Sequence, residues 1–493
     1  MAISSRGMPV GVVRTLEDLA RIGRQRTVSD RSVYLRQDEV TTDLLLDTVS
    51  ADRVSLDRVS IDGALTVRSC HIDELVVDHV EADALLVVNS RIGRLTIRNA
   101  SMGCEVTVID TSLDFLALHS CAATRLERLR VEEIVQINAL RGPVQISNTR
   151  ASSLVVRSQA TGGRLGRPRL VVRGLRARED IAFDDLWLSA LDLDEVETPE
   201  LTLQRVRLDE PLRANGLRCS ETVRVNGLVI PAGDSTISNS TVRGAVEVRN
   251  LGLCESARSG QSNPTAHLTF HNTNVVSLSS ESQDASVISL HGSSVTGTLG
   301  LPSGGSRYSL DESSSVGDME LAGQVFRNGR QIISFLERSF TEVTSVALES
   351  VRSALVRRNR NREVDELYYL ARQREAAALP PLRRAIGRGI LGGVLGWGVR
   401  ARNPARVLAV GVFLTGVVLH LAGAVREPGR GLLQVTVAGK AFVLALALWM
   451  NVGTGVPSEL KTAEWSALAV SFTAAGMLFT TLIVGIVIRK LVR

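Results

Sequence analysis

Residues 65–102 read LTVRSCHIDELVVDHVEADALLVVNSRIGRLTIRNASM. Apolar or small side chains recur at Leu65, Val67, Cys70, Ile72, Leu75, Val77, Val80, Ala82, Leu85, Val87, Ser90, Ile92, Leu95, Ile97, Ala100 and Met102, in steps of two and then three. No helix keeps a period of five, since its faces repeat every 3.6 residues. Residues two apart share one face of a strand, so each pair reads as a short strand and each step of three as a corner. An antiparallel sandwich would need longer turns to hold this spacing. Short strands separated by corners build a parallel β-solenoid in which every coil stacks on the last.

The register resumes past Gly103 with Val106, Val108, Thr111 and Leu113, and returns at Ile181, Phe183, Leu186, Leu188, Leu191 and Leu193. The solenoid is expected over 44–323, after an N-terminal segment 1–43. Cys70, Ser90, Ala100 and Cys121 alternate with large aliphatics, as layers of unequal width require. Ser158–Pro168, Ser256–Thr265 and Pro302–Arg307 are rich in Gly, Ser and Pro, and read as surface loops. The repeat resembles the pentapeptide-repeat class of right-handed parallel β-helix, with about four pentads per coil. It departs from that class in filling both inward slots with large aliphatics, and a three-sided helix of the bactofilin-like kind is the alternative.

The length of 493 residues suggests about three domains. Aromatic content is only 4%, which suits stacked strands better than a globular core. The first residues lack a sustained apolar run, so no signal peptide is expected. Cys70, Cys104, Cys121, Cys219 and Cys254 have no metal-type spacing and read as buried free thiols in a reducing compartment.

Beyond Gly323 the period changes to three and four. Ile332, Ile333, Leu336, Phe340, Val343, Ala347, Val351 and Leu355 predict one amphipathic helix, to close the solenoid or pair with another subunit. A second helix is expected at about 362–378, so that 324–379 form linker helices ended by Pro380-Pro381. From Arg357 to Arg406 twelve Arg face four acidic residues, a local excess of +8 against +5 for the chain. Residues 380–406, with Arg383, Arg384, Arg388, Trp397, Arg400, Arg402 and Arg406, read as an interfacial segment on anionic membrane lipid. Nucleic acid is not expected, because no aromatic or repeated basic groove accompanies the charge.

Val407–Val425 and Trp465–Ile488 are long and apolar enough to cross a bilayer. Between them, Ala441–Met450 is too short to span and should enter and turn back. The order span, half-helix, glycine-bearing loop 451–457, span resembles a bacterial two-transmembrane potassium-channel pore. Asn451, Val452, Gly453, Thr454 and Gly455 resemble that family's Thr-Val-Gly-Tyr-Gly filter, whose backbone carbonyls replace an ion's water shell. Asn451 stands in place of threonine, Thr454 in place of the aromatic, and Val456-Pro457 where aspartate is usual. Glu-Leu-Tyr-Tyr at 366–369 resembles the linker that joins pentapeptide-like repeats to such pores in bacterial proteins.

The resemblance implies a homotetrameric channel for a monovalent cation in residues 407–493. Glu459 would stand at the outer mouth or be an ordinary exposed charge. Gly476 would be a gating bend or a packing contact, and His420 a functional group or one reaching the interface. Arginines before the first span and Arg489, Lys490 and Arg493 after the second predict both termini in the cytoplasm of a bacterial inner membrane, with a cytoplasmic partner on the solenoid. The rival is a membrane-anchored solenoid that scaffolds or polymerises without conduction. Gly387–Gly392 fits a dinucleotide fingerprint in letters only, since no strand precedes it. His267 and His271 lack a third ligand, and Asp73, Glu74 and Asp78 read as a solvated face. No catalytic residue, cofactor or metal is expected.

Overall fold

The computed structural model describes residues 11–13, 26–29, 31–36, 38–101, 103–158, 167–254, 265–321, 326, 329–378, 380–394, 397, 399, 402–425, 436–452 and 460–492. The chain divides into two compact units, 1–322 with 335–351 and 323–334 with 352–493. The first is a parallel β-solenoid over 32–319 of about 13 turns, so its strands begin before Leu44. Only Arg26–Ser29 against Ser32–Arg36 is antiparallel among its named strand pairs, a short hairpin at the start.

Coils repeat by 20 or 21 residues in regular stretches. Ala64 lies beside Ala84 and Ala84 beside Glu105, while Glu74 lies beside Arg94 and Arg94 beside Phe115. The inward pairs Leu65/Val67, Leu85/Val87, Leu95/Ile97 and Val106/Val108 are fully buried. Met102 lies outside the described residues.

Every second corner holds a residue in the left-handed region. Ser69, His79, Asn89, Asn99, Asp110 and Ser120 have φ from 47° to 55°, a conformation that Asn and Asp adopt more readily than other side chains. The N–H freed at each such corner donates to the next coil, from Ser69 to Val88 O at 3.1 Å and from Asn99 to His119 O at 2.9 Å. Inside, Ser90 Oγ accepts from the Cys70 N–H at 3.1 Å and donates to Val88 O at 2.9 Å. Ser293 Oγ likewise accepts from the Thr273 N–H at 3.1 Å. The small inward slots therefore fill narrow layers and also satisfy buried backbone donors that would otherwise be costly.

Pro302–Arg307 is not a loop. Ser303–Leu310 is a strand paired with the preceding coil. A Cβ at Gly304 or Gly305 would stand 2.0 Å from Ser282 O or 2.4 Å from Asp284 O, so these glycines permit close stacking rather than marking an excursion. Residues 159–166 and 256–264 of the other expected loops lie outside the described residues.

The expected single helix past Gly323 is two, α1 (Gly329–Ser339) and α2 (Ser345–Arg357). The break is at Phe340, which pairs as a strand residue with Tyr308 of the last coil, its ring 6.4 Å from the tyrosine's. Thr341 N–H donates to Tyr308 O at 2.9 Å. Both rings are fully buried, and this contact covers the edge a solenoid would otherwise expose.

The second unit is helical. It contains α3 (Asn361–Ala378), α4 (Pro381–Ala385), a π-helix (Ile386–Val394), α5 (Arg402–Leu421), α6 (Val437–Met450) and α7 (Ala463–Val492). Two helical stretches, 402–421 in α5 and 464–488 in α7, are long and apolar enough to cross a membrane.

Candidate functional site

The helices α5, α6 and α7 converge on Trp449. α6 starts at an N-cap, Thr436, whose side chain accepts the Gly439 N–H at 3.2 Å. It stops at Asn451, whose backbone is left-handed (φ 54°, ψ 39°). There the Asn451 N–H donates to Leu448 O at 3.2 Å and the Val452 N–H to Ala447 O at 2.9 Å. This is a Schellman-type stop, a position that Asn adopts more readily than a β-branched residue does.

Just before that stop, the Trp449 indole N–H donates to Thr415 Oγ1 at 2.9 Å, both groups buried. Its ring stacks against Phe472 and Phe479 at 6.4 and 6.3 Å. Two glycines make room for it. A Cβ at Gly411 would stand 2.5 Å from the indole, and one at Gly476 2.1 Å from Trp449 O. Small residues allow such close helix approach, and Gly476 serves as a packing contact in this structure. Higher on the same helices, Gly416 faces the Phe442 ring.

The contacts give α6 a level along its neighbours. Gly411 lies midway along α5, and Gly476 midway along the apolar stretch 464–488. The C-terminal end of α6 thus abuts the middle of both long helices. Its other flank belongs to the far end of α5, where Leu419, Ala424 and Val425 form one buried cluster with Ala441, Leu444, Leu460 and Ala469. Val425 pairs antiparallel with Leu460, and the Lys461 N–H donates to Ala424 O at 2.9 Å. The chain therefore goes from the α5 terminus to mid-level at Trp449 and is back at that terminus by Leu460.

Of the expected filter, Asn451 and Val452 are described and exposed. Gly453, Thr454, Gly455 and Glu459 lie outside the described residues, as does Arg400. Arg383 and Arg384 in α4, Arg388 in the π-helix, and Arg402 and Arg406 in α5 are exposed, and Trp397 is half-buried at φ 53°. His420 is exposed near the end of α5.

On the solenoid, all five cysteines are buried and none is in a disulfide. Burial pushes the Cys104 thiol up to about 11 and the Cys121 thiol up to about 12, so neither is a ready nucleophile at neutral pH. His267 and His271 lie in the strand Ala266–His271. His271 packs on the ring of His291, one coil on, at 5.7 Å.

One group was missed in sequence. Ligand atoms of Asp57, Asp78 and His79 lie within 4.8 Å of one another, because the coil register places Asp57 beside Asp78. Adding one coil length to Asp57 would have found it. These side chains already have partners: Arg36 at 3.2 Å from Asp57, and His79 and Asn99 at 2.8 and 3.3 Å from Asp78.

Compared with known protein families, curated proteins and solved structures, the chain matches none.

Proposed function

We propose that this chain is a membrane protein whose α5–α6–α7 module is a re-entrant pore unit of the two-transmembrane channel type, assembled as a homotetramer that conducts a monovalent cation. One observation carries the reading: α6 ends at the mid-level of two helices able to cross a bilayer, and the chain returns by Leu460 to the level it left at Val425. Non-helical backbone at that depth is tolerated only where protein surrounds it or where it lines a water-filled path. A single chain supplies one such loop, and a filter of carbonyls around an axis needs four. The partially negative end of α6 points toward the loop and favours a cation there. Both termini then face the cytoplasm, and the solenoid is a rigid arm for a cytoplasmic partner.

The test is cation current from the purified full-length chain in a planar bilayer. Gly453→Asp should abolish it by placing a side chain and a charge in the passage. Absence of current in the parent, with Gly453→Asp indistinguishable from it, would leave the second reading, a membrane-anchored solenoid scaffold. That reading is favoured by the Asn451 stop, which gives asparagine a purely structural reason to stand there.

A further inference from the structure

Between α3 and the π-helix lies an open cavity of about 240 Å³ lined by Arg372, Glu375, Ala376, Arg383, Leu391 and Trp397, together with Gly387. Glycines shape it. A Cβ at Gly392 would stand 2.9 Å from Trp397 Nε1, and one at Gly387 3.2 Å from the Ala376 Cβ. Trp397 is held at φ 53°, where a bulky side chain is an outlier of the kind that clusters at ligand sites. Its indole nitrogen, which can only donate, is buried with no acceptor among the described residues. The wall opposite is a π-helix, a rare element frequent at functional sites.

The polar groups are unevenly committed. Glu375 is held by Arg372 at 2.7 Å, and Arg372 also donates to Tyr368 Oη at 3.2 Å. Arg383 has no ion pair among the described residues. The cavity therefore offers guanidinium donors beside an apolar wall of Ala376 and Leu391, and its one carboxylate is neutralised. Asn403, in the first turn of α5, ties this wall to the start of that helix by donating to Gly392 O at 2.9 Å. If α5 crosses the bilayer, its first turn lies at headgroup level.

We infer that this cavity binds the phosphate group of an anionic phospholipid, with Arg383 and Arg372 at the phosphate and Leu391 along the acyl stem. A free phosphate ion would use the same donors and leave Leu391 uncovered, so the lipid is the better fit. The inference rests on the membrane reading above.

The test uses the full chain in phosphatidylcholine nanodiscs containing phosphatidylglycerol, counting phosphatidylglycerol retained on the released protein by native mass spectrometry. Arg383→Gln should weaken retention about tenfold, the loss of one charge-assisted contact. Arg383→Lys should restore part of it. Arg388→Gln removes the same charge outside the cavity lining and should leave retention unchanged. Equal losses for Arg383→Gln and Arg388→Gln would overturn the site in favour of diffuse attraction. Binding of inorganic phosphate as tight as that of the lipid would overturn the lipid assignment. A chain that inserts and retains no phosphatidylglycerol overturns this inference alone, whereas one that never inserts overturns the membrane reading with it.

Discussion

In the solenoid, Leu95, Ile97, Val106 and Val108 are fully buried, and Arg91, Arg98 and Glu105 on the same strands face out. In the helical unit many exposed positions are themselves apolar: Phe413 of α5 is 59% exposed, Val443 of α6 63% and Val470 of α7 66%. One unit hides its hydrocarbon in buried layers, and the other displays it along two long helices. Apolar surface on that scale marks an interaction surface, here one suited to lipid. Close packing is nevertheless common to both units, since glycines admit a neighbouring coil at Gly304 and Gly305 and a neighbouring helix at Gly411 and Gly476.

The largest expected contrast comes from placing a carboxylate on each kind of surface. Leu95→Asp puts an unpaired charge in the solenoid core and should cost several kcal/mol, removing the parallel-strand circular dichroism signal. Val470→Asp buries nothing within the chain. Its expected penalty of at most about 3 kcal/mol falls on insertion, read as release from the membrane fraction with the solenoid signal intact. If Val470→Asp stays in the membrane as firmly as the parent, that face does not meet lipid.

Next in size are the glycines. Gly244→Ala would bring a Cβ to 1.7 Å from Glu221 O, and Gly476→Ala to 2.1 Å from Trp449 O. Each should cost about 1–3 kcal/mol as backbone is forced apart. Gly244→Ala should lower the solenoid transition in thermal melts followed by strand dichroism. Gly476→Ala should instead alter tryptophan fluorescence in a Trp187→Phe background, where the remaining tryptophans lie in the helical unit. A melt in which either substitution moves both signals equally would contradict the independence of the two cores.

Hydrogen bonds give a smaller effect. Ser293→Ala strands the Thr273 N–H and Thr415→Val strands the Trp449 indole N–H, each worth about 1–3 kcal/mol where no water enters. A cost well below that for Thr415→Val alone would place water at the tip of α6.

The smallest effect is acid sensitivity of the last coil. Burial by itself would raise the Asp311 carboxyl, but hydrogen bonds from Ser314, Ser313 and the Gly292 N–H, with His291 beside it, bring it down to about 2. A lowered folded-state value means stabilisation that is complete above the ordinary aspartate range and is lost as pH falls through about 2. Unfolding midpoints should decline between about pH 4 and pH 2, and Asp311→Asn should flatten that decline.

The solenoid was legible because inward residues such as Leu65 and Val67 must repeat every five positions, whatever occupies the corners. The corners themselves were not, since Arg58, Arg128 and Ala139 adopt φ near 53° with no sequence signal for it, imposed by the stack. Gly304-Gly305 misled for a related reason: the same residue serves a turn or a close approach, and only the neighbouring coil decides. The break at Phe340 was hidden because its apolar spacing suits a helix, while pairing with Tyr308 takes it into a strand. In the helical unit the two long apolar helices were readable from length. The packing of Trp449 was not, because it depends on Gly411, Thr415 and Gly476, which lie far away in sequence.

The re-entrant path is tested most directly by single cysteines at Val437 and Lys461, in a chain whose native cysteines are replaced, labelled with an impermeant maleimide in sealed vesicles of known orientation. Labelling of both positions from the same side, opposite to a cysteine at Lys490, is the predicted result. Labelling of Val437 and Lys461 from opposite sides would mean that α6 traverses the membrane, and would contradict the pore arrangement.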